Sequence, residues 1–215
     1  MHAAGMRKGM ALAVLWAEAP GAALGDVEAW AAATPPAAAD PDAGVLSVAR
    51  SAAVRGGPAL VEGAELRDEA AAAAAGQAVV RAALERRGAA VEVGVYGQIF
   101  PPFDERLARH GPAPALQIGR IDVPPAHDEE FNEWYNTEYL VGYLKVPGVY
   151  SARRYRRRGA GPAYLTVYEL ADPGVSSRPD WDRARAQSVW RQRIERFWTH
   201  APGSPGVYRR LAAGR

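Results

Sequence analysis

The sequence of 215 residues contains no cysteine, which excludes a disulfide framework, a thiolate zinc site and a cysteine nucleophile. Lysine is almost absent as well, since Lys8 and Lys145 are the only two, and nearly all of the 26 basic residues are arginines. With 24 acidic residues the formal net charge is only +2. So small an excess of positive charge argues against nucleic acid as a partner.

No apolar run approaches the length that a helix needs to span a bilayer. The start of the chain, Arg7-Lys8 followed by the apolar run 11–16, only faintly resembles a signal peptide, because the run is short and Glu18 ends it. We therefore expect a cytoplasmic protein that has no membrane partner.

The common short motifs of nucleotide and metal chemistry are also missing. The sequence has no G-x-G-x-x-G, no P-loop and no G-x-S-x-G. Its four histidines, His2, His110, His127 and His200, show no metal-ligand spacing. We therefore expect neither a cofactor nor a metal.

What the sequence does contain is an internal repeat with a period of 104 residues. This shift aligns Gly57-Pro58-Ala59 with Gly161-Pro162-Ala163, and Glu65-Leu66 with Glu169-Leu170. The matches cluster where turns and strand starts are expected. A fixed period indicates that one supersecondary unit is used twice.

The second copy predicts the order strand, helix, strand, strand, helix, strand. Alternating apolar residues and turn residues place the strands at 115–121, 149–156, 164–170 and 207–211. The first helix begins at the acidic residues 128–130 and weakens near Gly142, and the second is expected from an N-cap at Asp180 to about Trp198. The first copy repeats this order, with strands near 11–17, 45–54, 59–65 and 91–98 and an alanine-rich helix over 68–87.

This element order is that of a ferredoxin-like unit. The predicted fold class is α+β, with two tandem ferredoxin-like lobes at 1–99 and 114–215 and a connector at 100–113. A four-stranded sheet with helices on one face leaves its other face bare, so the two antiparallel sheets are expected to cover each other. The result would be a single-chain dimeric α/β barrel, either a monomer with pseudo-dimeric lobes or a homodimer.

Residues 122–156 carry a spaced motif. The matching residues are Glu130-Phe131, Trp134-Tyr135, Glu138, Val146-Pro147-Gly148, Ser151 and Arg153-Arg154-Tyr155. In this pattern the chain resembles the EthD-like branch of the dimeric α/β-barrel superfamily. Tyr139 stands where the family pattern has a histidine, and Val141 where it has a proline. A tyrosine can donate or accept a hydrogen bond, but with an ordinary pKa of about 10 it is a poor base.

The resemblance implies a function as well as a fold. Relatives in aromatic polyketide pathways imply a cofactor-independent monooxygenase that oxidises a phenol or anthrone-like intermediate of secondary metabolism. The partner would then be a hydrophobic small-molecule substrate. Two alternatives stay open: a polyketide cyclase, isomerase or decarboxylase that uses the same pocket, and a non-catalytic protein that binds a small molecule.

Glu138 is the predicted proton acceptor. It lies three residues after Tyr135 and seven after Phe131, so it is expected to face inward, where a carboxylate is costly unless it is paired or functional. It would be either a general base with a raised pKa or an ion-pair partner of Arg154. The predicted catalytic set is Glu138, Tyr139 and Tyr135, and the predicted substrate contacts are Trp134, Tyr143, Arg154, Tyr168, Trp181 and Trp190.

The first copy lacks these polar aromatic positions. The 104-residue shift places Ala31, Thr34 and Pro35 where the second copy has its predicted catalytic set. We therefore predict a single site, in the second copy.

Overall fold

The computed structural model describes residues 11–18, 42, 45–68, 90–100 and 113–212. The strands within these ranges are β1 Ala11–Glu18, β2 Val45–Arg55, β3 Leu60–Leu66, β4 Ala90–Phe100, β5 Ala115–Asp122, β6 Val149–Arg158, β7 Tyr164–Leu170, β8 Thr199–His200 and β9 Gly206–Arg210. All eight predicted strands are present, with bounds that differ from the prediction by at most two residues. The alanine-rich helix predicted over 68–87, the first helix of the first copy and nearly all of the 100–113 connector lie outside the described residues.

The described helices all lie in the second half of the chain. They are α1 Asp128–Trp134, a π-helical segment Tyr135–Tyr139 that continues it, α2 Leu140–Leu144, α3 Pro179–Ala186 and α4 Arg191–Ile194. Acidic residues 128–130 occupy the first turn of α1, where the helix dipole favours negative charge. Within the described ranges, no helix is long and apolar enough to cross a membrane.

The sheet is antiparallel and curls back on itself. Its strand order is β7-β6-β4-β1-β3-β2-β9-β5-β8, and β7 also pairs with β5. Every strand except the two-residue β8 therefore belongs to a closed ring of eight. This mixed α+β architecture with a curled antiparallel sheet agrees with the predicted barrel.

The first three strands of the two halves share their register. β1, β2 and β3 begin 104 positions before β5, β6 and β7. Ala11 pairs with Leu66 at the start of the β1–β3 ladder, and Ala115 pairs with Leu170 at the start of the β5–β7 ladder. β2 and β6 also both carry a β-bulge within their first three residues.

The long second helix predicted from Asp180 to about Trp198 is wrong. Arg178 is the N-cap of α3, which ends at Ala186, and α4 begins only at Arg191. The connecting residues 187–190 include serine and valine, which are weak helix formers. Trp134 Nε1 donates a hydrogen bond of 2.9 Å to Ser188 Oγ, and this contact holds the interruption against α1.

The inner face of the ring surrounds a small cavity of about 50 Å³ that is lined by residues from seven strands. Its apolar wall includes Val14, Val61 and Ile118. The buried pair Glu65 and Arg153 also faces this cavity, and Arg153 Nη1 donates to Glu65 Oε2 at 3.0 Å while Nη2 donates to Oε1. This bidentate pair joins β3 of the first half to β6 of the second.

We predict that Glu65→Gln lowers the free energy of unfolding by about 3–5 kcal/mol, because it leaves the guanidinium of Arg153 buried without its carboxylate. Replacing both residues by methionine should recover most of this loss, since neither charge then stays buried. Urea unfolding monitored by circular dichroism measures both effects. Asp180→Asn removes the exposed pair with Arg183 and serves as the control, with an expected change within about 1 kcal/mol. Equal stability of Glu65→Gln and the unaltered protein would contradict the prediction.

Candidate functional site

A π-helical turn shapes the helix that covers the outer face of β5 and β7. The backbone N–H of Leu140 donates to the carbonyl of Tyr135, the i to i+5 bond that defines a π-turn. The turn covers Tyr135–Tyr139, the segment that contains the whole predicted catalytic set. π-turns inside α-helices are frequent at functional sites.

Tyr135, Tyr139 and Tyr143 follow one another at a spacing of four residues and form a continuous aromatic wall. The ring centroids of Tyr135 and Tyr139 are 4.8 Å apart, and those of Tyr139 and Tyr143 are also 4.8 Å apart. Tyr143 donates a hydrogen bond of 3.2 Å to the hydroxyl of Tyr139. Tyr143 also packs on Trp181 of α3 at 4.3 Å, and Trp181 contacts Tyr168 of β7 at 5.3 Å.

These aromatic side chains line a cleft of about 240 Å³ that is partly open to solvent. The residues that line it are Gln117, Gly119, Tyr135, Tyr139, Tyr143, Tyr168, Trp181, Arg185, Trp198, His200 and Pro205. Gly119 forms part of the floor without a side chain, and a Cβ at this position would meet no atom closer than 4.0 Å.

Two hydrogen-bond donors of the cleft have no protein partner. The hydroxyl of Tyr168 and the indole N–H of Trp198 are buried, and neither makes a hydrogen bond in the described part of the chain. The Tyr135 hydroxyl is close enough to Tyr168 to raise its pKa without meeting the geometry of a hydrogen bond. Since buried donors are normally paired, both groups are candidates for a hydrogen bond to a ligand.

Three tyrosines of the cleft, Tyr139, Tyr143 and Tyr168, hold their protons more tightly than a phenol in water. Burial raises the pKa of Tyr143 to about 12. Burial also raises the pKa of Tyr139 and of Tyr168 well above the ordinary value, and the neighbouring phenols add to the shift in both cases. At neutral pH these hydroxyls are therefore hydrogen-bond donors and not bases.

Arg185 and His200 lie at the exposed mouth of the cleft. Arg185 is four residues after Trp181 on α3, so both project from the same side of the helix. His200 lies in β8, which pairs with the end of β5, and its ring meets Trp198 edge-on at 4.6 Å. The residue is exposed as a whole, but the partial desolvation of its imidazole lowers the pKa of His200; the hydrogen bond with the backbone of Arg120 opposes this shift, and the positive charge of Arg185 adds to it.

The structure brings together five of the predicted site residues and separates the other four. Tyr135, Tyr139, Tyr143, Tyr168 and Trp181 line the cleft. Trp134 is fully buried behind the tyrosine wall, and Trp190 is 46% exposed on the α3–α4 connection, where its backbone N–H donates to Glu138 Oε1 at 3.4 Å. Glu138 is thus half-buried outside the lining, and its catalytic role stays a prediction.

Arg154 is buried on the other side of Tyr135. Its guanidinium lies 4.2 Å from the ring of Tyr135, and Nη1 donates to Asn136 Oδ1 at 2.7 Å. Burial lowers its pKa from the ordinary value of arginine. No ion pair joins Arg154 to Glu138, so the pairing considered for these two residues does not form among the described side chains.

Sequence reasoning missed six lining residues: Gln117, Gly119, Arg185, Trp198, His200 and Pro205. Trp198 stands out in the sequence as an aromatic residue near the second helix, but His200 gives no local signal. Its position depends on the pairing of β8 with β5. No group of three or more histidine, cysteine, aspartate or glutamate side chains within the described ranges could hold a metal ion.

No protein-family model and no curated protein matches the sequence significantly. Solved structures do match it. One is an anthrone oxidase-like protein, at 15% identity over 97% of this chain and 95% of that chain, with a TM-score of 0.63. Another is a mutant chlorite dismutase from Candidatus Nitrospira defluvii, at 12% identity over 96% of this chain and 92% of that chain, with a TM-score of 0.59. A third is a candidate monooxygenase from Lactobacillus acidophilus NCFM, at 10% identity over 95% of this chain and 96% of that chain, with a TM-score of 0.55. The likeness establishes a ferredoxin-like dimeric α/β-barrel fold.

We predict that the native protein at about pH 11 shows less tyrosinate absorbance than the unfolded protein, because Tyr139, Tyr143 and Tyr168 stay protonated in the cleft. Since the folded state then binds more protons than the unfolded state, stability should fall as the pH rises above about 10. Near-ultraviolet absorbance and urea unfolding over this pH range measure the two effects. A single titration of all nine tyrosines near pH 10 in the folded protein would contradict the prediction.

Proposed function

We propose that this chain is an enzyme that oxidises an aromatic small molecule with molecular oxygen, as a cofactor-independent monooxygenase. The substrate class is an activated phenol or an anthrone-like intermediate of polyketide-type secondary metabolism. The observation that carries this proposal is the aromatic cleft, which is lined by four tyrosine and two tryptophan side chains. Ligand sites for small molecules are typically concave and lined by apolar and aromatic side chains with a few polar groups. The anthrone oxidase-like and monooxygenase-type neighbours in fold support the reaction type.

The lining suits a flat, hydrophobic and weakly acidic substrate. Its aromatic side chains would stack against fused rings. The unpartnered donors of Tyr168 and Trp198 would bind the carbonyl and phenol oxygens of the substrate. These donors and the cation of Arg185 favour a substrate that becomes an enolate or phenolate, because fixed donors stabilise developing negative charge without reorganisation.

The proposed reaction needs no external reductant. A methylene group between two aromatic rings loses a proton and becomes a carbanion-like enolate, which transfers its electrons to O₂ as a carbon–oxygen bond forms. The resulting peroxide loses the second proton of the same carbon while its O–O bond breaks. One oxygen atom becomes the new carbonyl and the other leaves as water. The substrate supplies all four electrons that reduce one O₂.

We also infer that the chain consists of two tandem ferredoxin-like lobes, with a degenerate lobe at 1–99, a connector at 100–113 and the site-bearing lobe at 114–215. The matching registers of the β1–β3 and β5–β7 ladders support this division. All residues that line the cleft fall between Gln117 and Pro205, within the second lobe.

We predict that purified protein supplied with a dihydroxyanthrone consumes one O₂ for each quinone formed and incorporates one labelled oxygen atom from isotopic O₂. Oxygen uptake and mass spectrometry measure this, with heat-denatured protein as the blank for spontaneous oxidation. Turnover that continues undiminished under strict anaerobiosis would reject the monooxygenase proposal and favour a cyclase, isomerase or decarboxylase. Binding without any conversion would favour a non-catalytic protein.

We predict that Gly119→Val weakens binding of a hydroxyanthraquinone by about tenfold or more, because the new side chain would project into the cleft floor. The open space around Gly119 and its ordinary strand backbone allow the fold to accept the valine. Overpacking against a ligand typically costs about 1–3 kcal/mol, and about 1.4 kcal/mol corresponds to a factor of ten. Fluorescence titration measures the affinity, and Gly119→Ala should cause a smaller loss. Unchanged affinity of Gly119→Val would place the ligand elsewhere.

A further inference from the structure

We propose that His200 is the proton acceptor of this cleft and that Ser204 is its positioning residue. The inference rests on the proposed function, because it assigns the base for the oxidation of an anthrone-like substrate. It differs from the sequence-based prediction, which gave this role to Glu138.

His200 is held in place by both the sheet and the loop that follows it. Its backbone pairs with Ile121 at the end of β5, and the ring of Trp198 contacts its imidazole edge-on at 4.6 Å. Ser204 Oγ lies 3.2 Å from His200 Nδ1. The same Oγ accepts a hydrogen bond of 2.7 Å from the backbone N–H of Arg120 in β5.

This arrangement is compatible with the tautomer that a base requires. A serine oxygen has two lone pairs, so Ser204 Oγ can accept the Arg120 N–H and the His200 Nδ1–H together. In that tautomer the proton of the neutral imidazole sits on Nδ1, and Nε2 keeps its lone pair. Fixing one ring nitrogen so that the other can accept a proton is the usual way to orient a histidine base.

The chemistry of the other lining residues excludes them as the base near neutral pH. Phenols such as Tyr139 and Tyr168 are protonated there, and burial strengthens this. The guanidinium of Arg185 has no lone pair to offer. An amide such as Gln117 is not a base either. Among the described residues that line the cleft, His200 alone combines a lone pair with an ordinary pKa close to neutrality.

The charges around His200 favour its neutral form. Arg185 of α3 lowers its pKa, Glu195 at the end of α4 raises it, and the hydrogen bond with the backbone of Arg120 in β5 also raises it. Burial is the largest influence, and the net direction is downward. His200 therefore stays ready to accept a proton at a slightly lower pH than a histidine in water.

A single histidine can serve both proton transfers of the reaction. Nε2 takes the first proton from the methylene carbon while Arg185 and the donors of the cleft face the enolate. That proton passes to the peroxide after O₂ has added. Nε2 then takes the second carbon-bound proton as the O–O bond breaks, and it returns this proton to the departing hydroxide as water. The imidazole ends the cycle neutral.

His200→Gln tests the assignment, and His127→Gln is the matched control because the His127 ring stacks on Phe197 at 3.7 Å and does not line the cleft. With a dihydroxyanthrone, His200→Gln should lose about 100-fold to 10,000-fold in kcat with a small change in KM. The kcat/KM of the unaltered protein should fall on the acid side as His200 protonates, and the residual activity of His200→Gln should lack this limb. Ser204→Ala should shift the same limb and lower kcat less.

Glu138→Gln provides the competing outcome. Loss of turnover in Glu138→Gln, together with His200→Gln activity within twofold of the unaltered protein, would overturn the assignment and leave the proposed oxidation intact. Absence of turnover in the unaltered protein would instead overturn the oxidation.

A measurement without turnover decides the assignment independently of variant folding. The NMR ring signals of the unaltered protein are titrated with pH, with and without a saturating hydroxyanthraquinone. The ligand should move the titration of His200 and leave that of His127 unchanged. A His200 signal that ignores the bound ligand would overturn the assignment.

Discussion

Closure of eight antiparallel strands into one ring is the constraint on which the site depends. Side chains alternate across each strand, so residues on the two faces meet different environments. On β5, Leu116 and Ile118 face the interior cavity of the ring, whereas Gln117 and Gly119 face the cleft. β7 shows the same division, because Val167 points into the ring while Tyr168 points out toward the helices. The ring thus supplies the floor, and the π-turn, α2 and α3 supply the helical walls.

The interior of the ring sets a second requirement. Several of its side chains are charged, and a buried charge without a partner is too costly to keep. Arg153 meets this requirement through Glu65, and Ser151 donates to Glu169 at 2.5 Å. These two carboxylates, Glu65 and Glu169, occupy equivalent positions in the two copies of the repeat, 104 residues apart. The two carboxylates therefore repeat with the strands, and the pair of Glu65 with Arg153 ties the two halves of the chain together.

The strands could be predicted from the sequence because their pattern of alternating residues is local. Much of the site could not be predicted, because it depends on contacts between residues distant in the sequence. Tyr164–Leu170 alternates aromatic and aliphatic residues between turn residues, and the structure has the strand at the predicted bounds. The interruption between α3 and α4 depends instead on tertiary contacts such as Trp134 with Ser188. β8 has only two residues, too few for any periodic pattern. Because β8 cannot be recognised in the sequence, no sequence pattern places His200 in the cleft.

The π-turn explains why the spacing argument succeeded for the tyrosines and misplaced Glu138. A turn closed by an i to i+5 hydrogen bond contains more residues than an α-helical turn. Side chains three residues apart therefore diverge further from one face of the helix, whereas side chains four residues apart still lie close together. Tyr139 therefore remains beside Tyr135, while Glu138 rotates toward Trp190. The family pattern has a histidine at the Tyr139 position, on the helix wall. In this chain that position carries a phenol whose pKa is raised by burial, and an imidazole lines the same cleft at His200. A proton acceptor on β8, as proposed for His200, leaves the hydroxyl at the Tyr139 position free to donate a hydrogen bond to an anionic substrate.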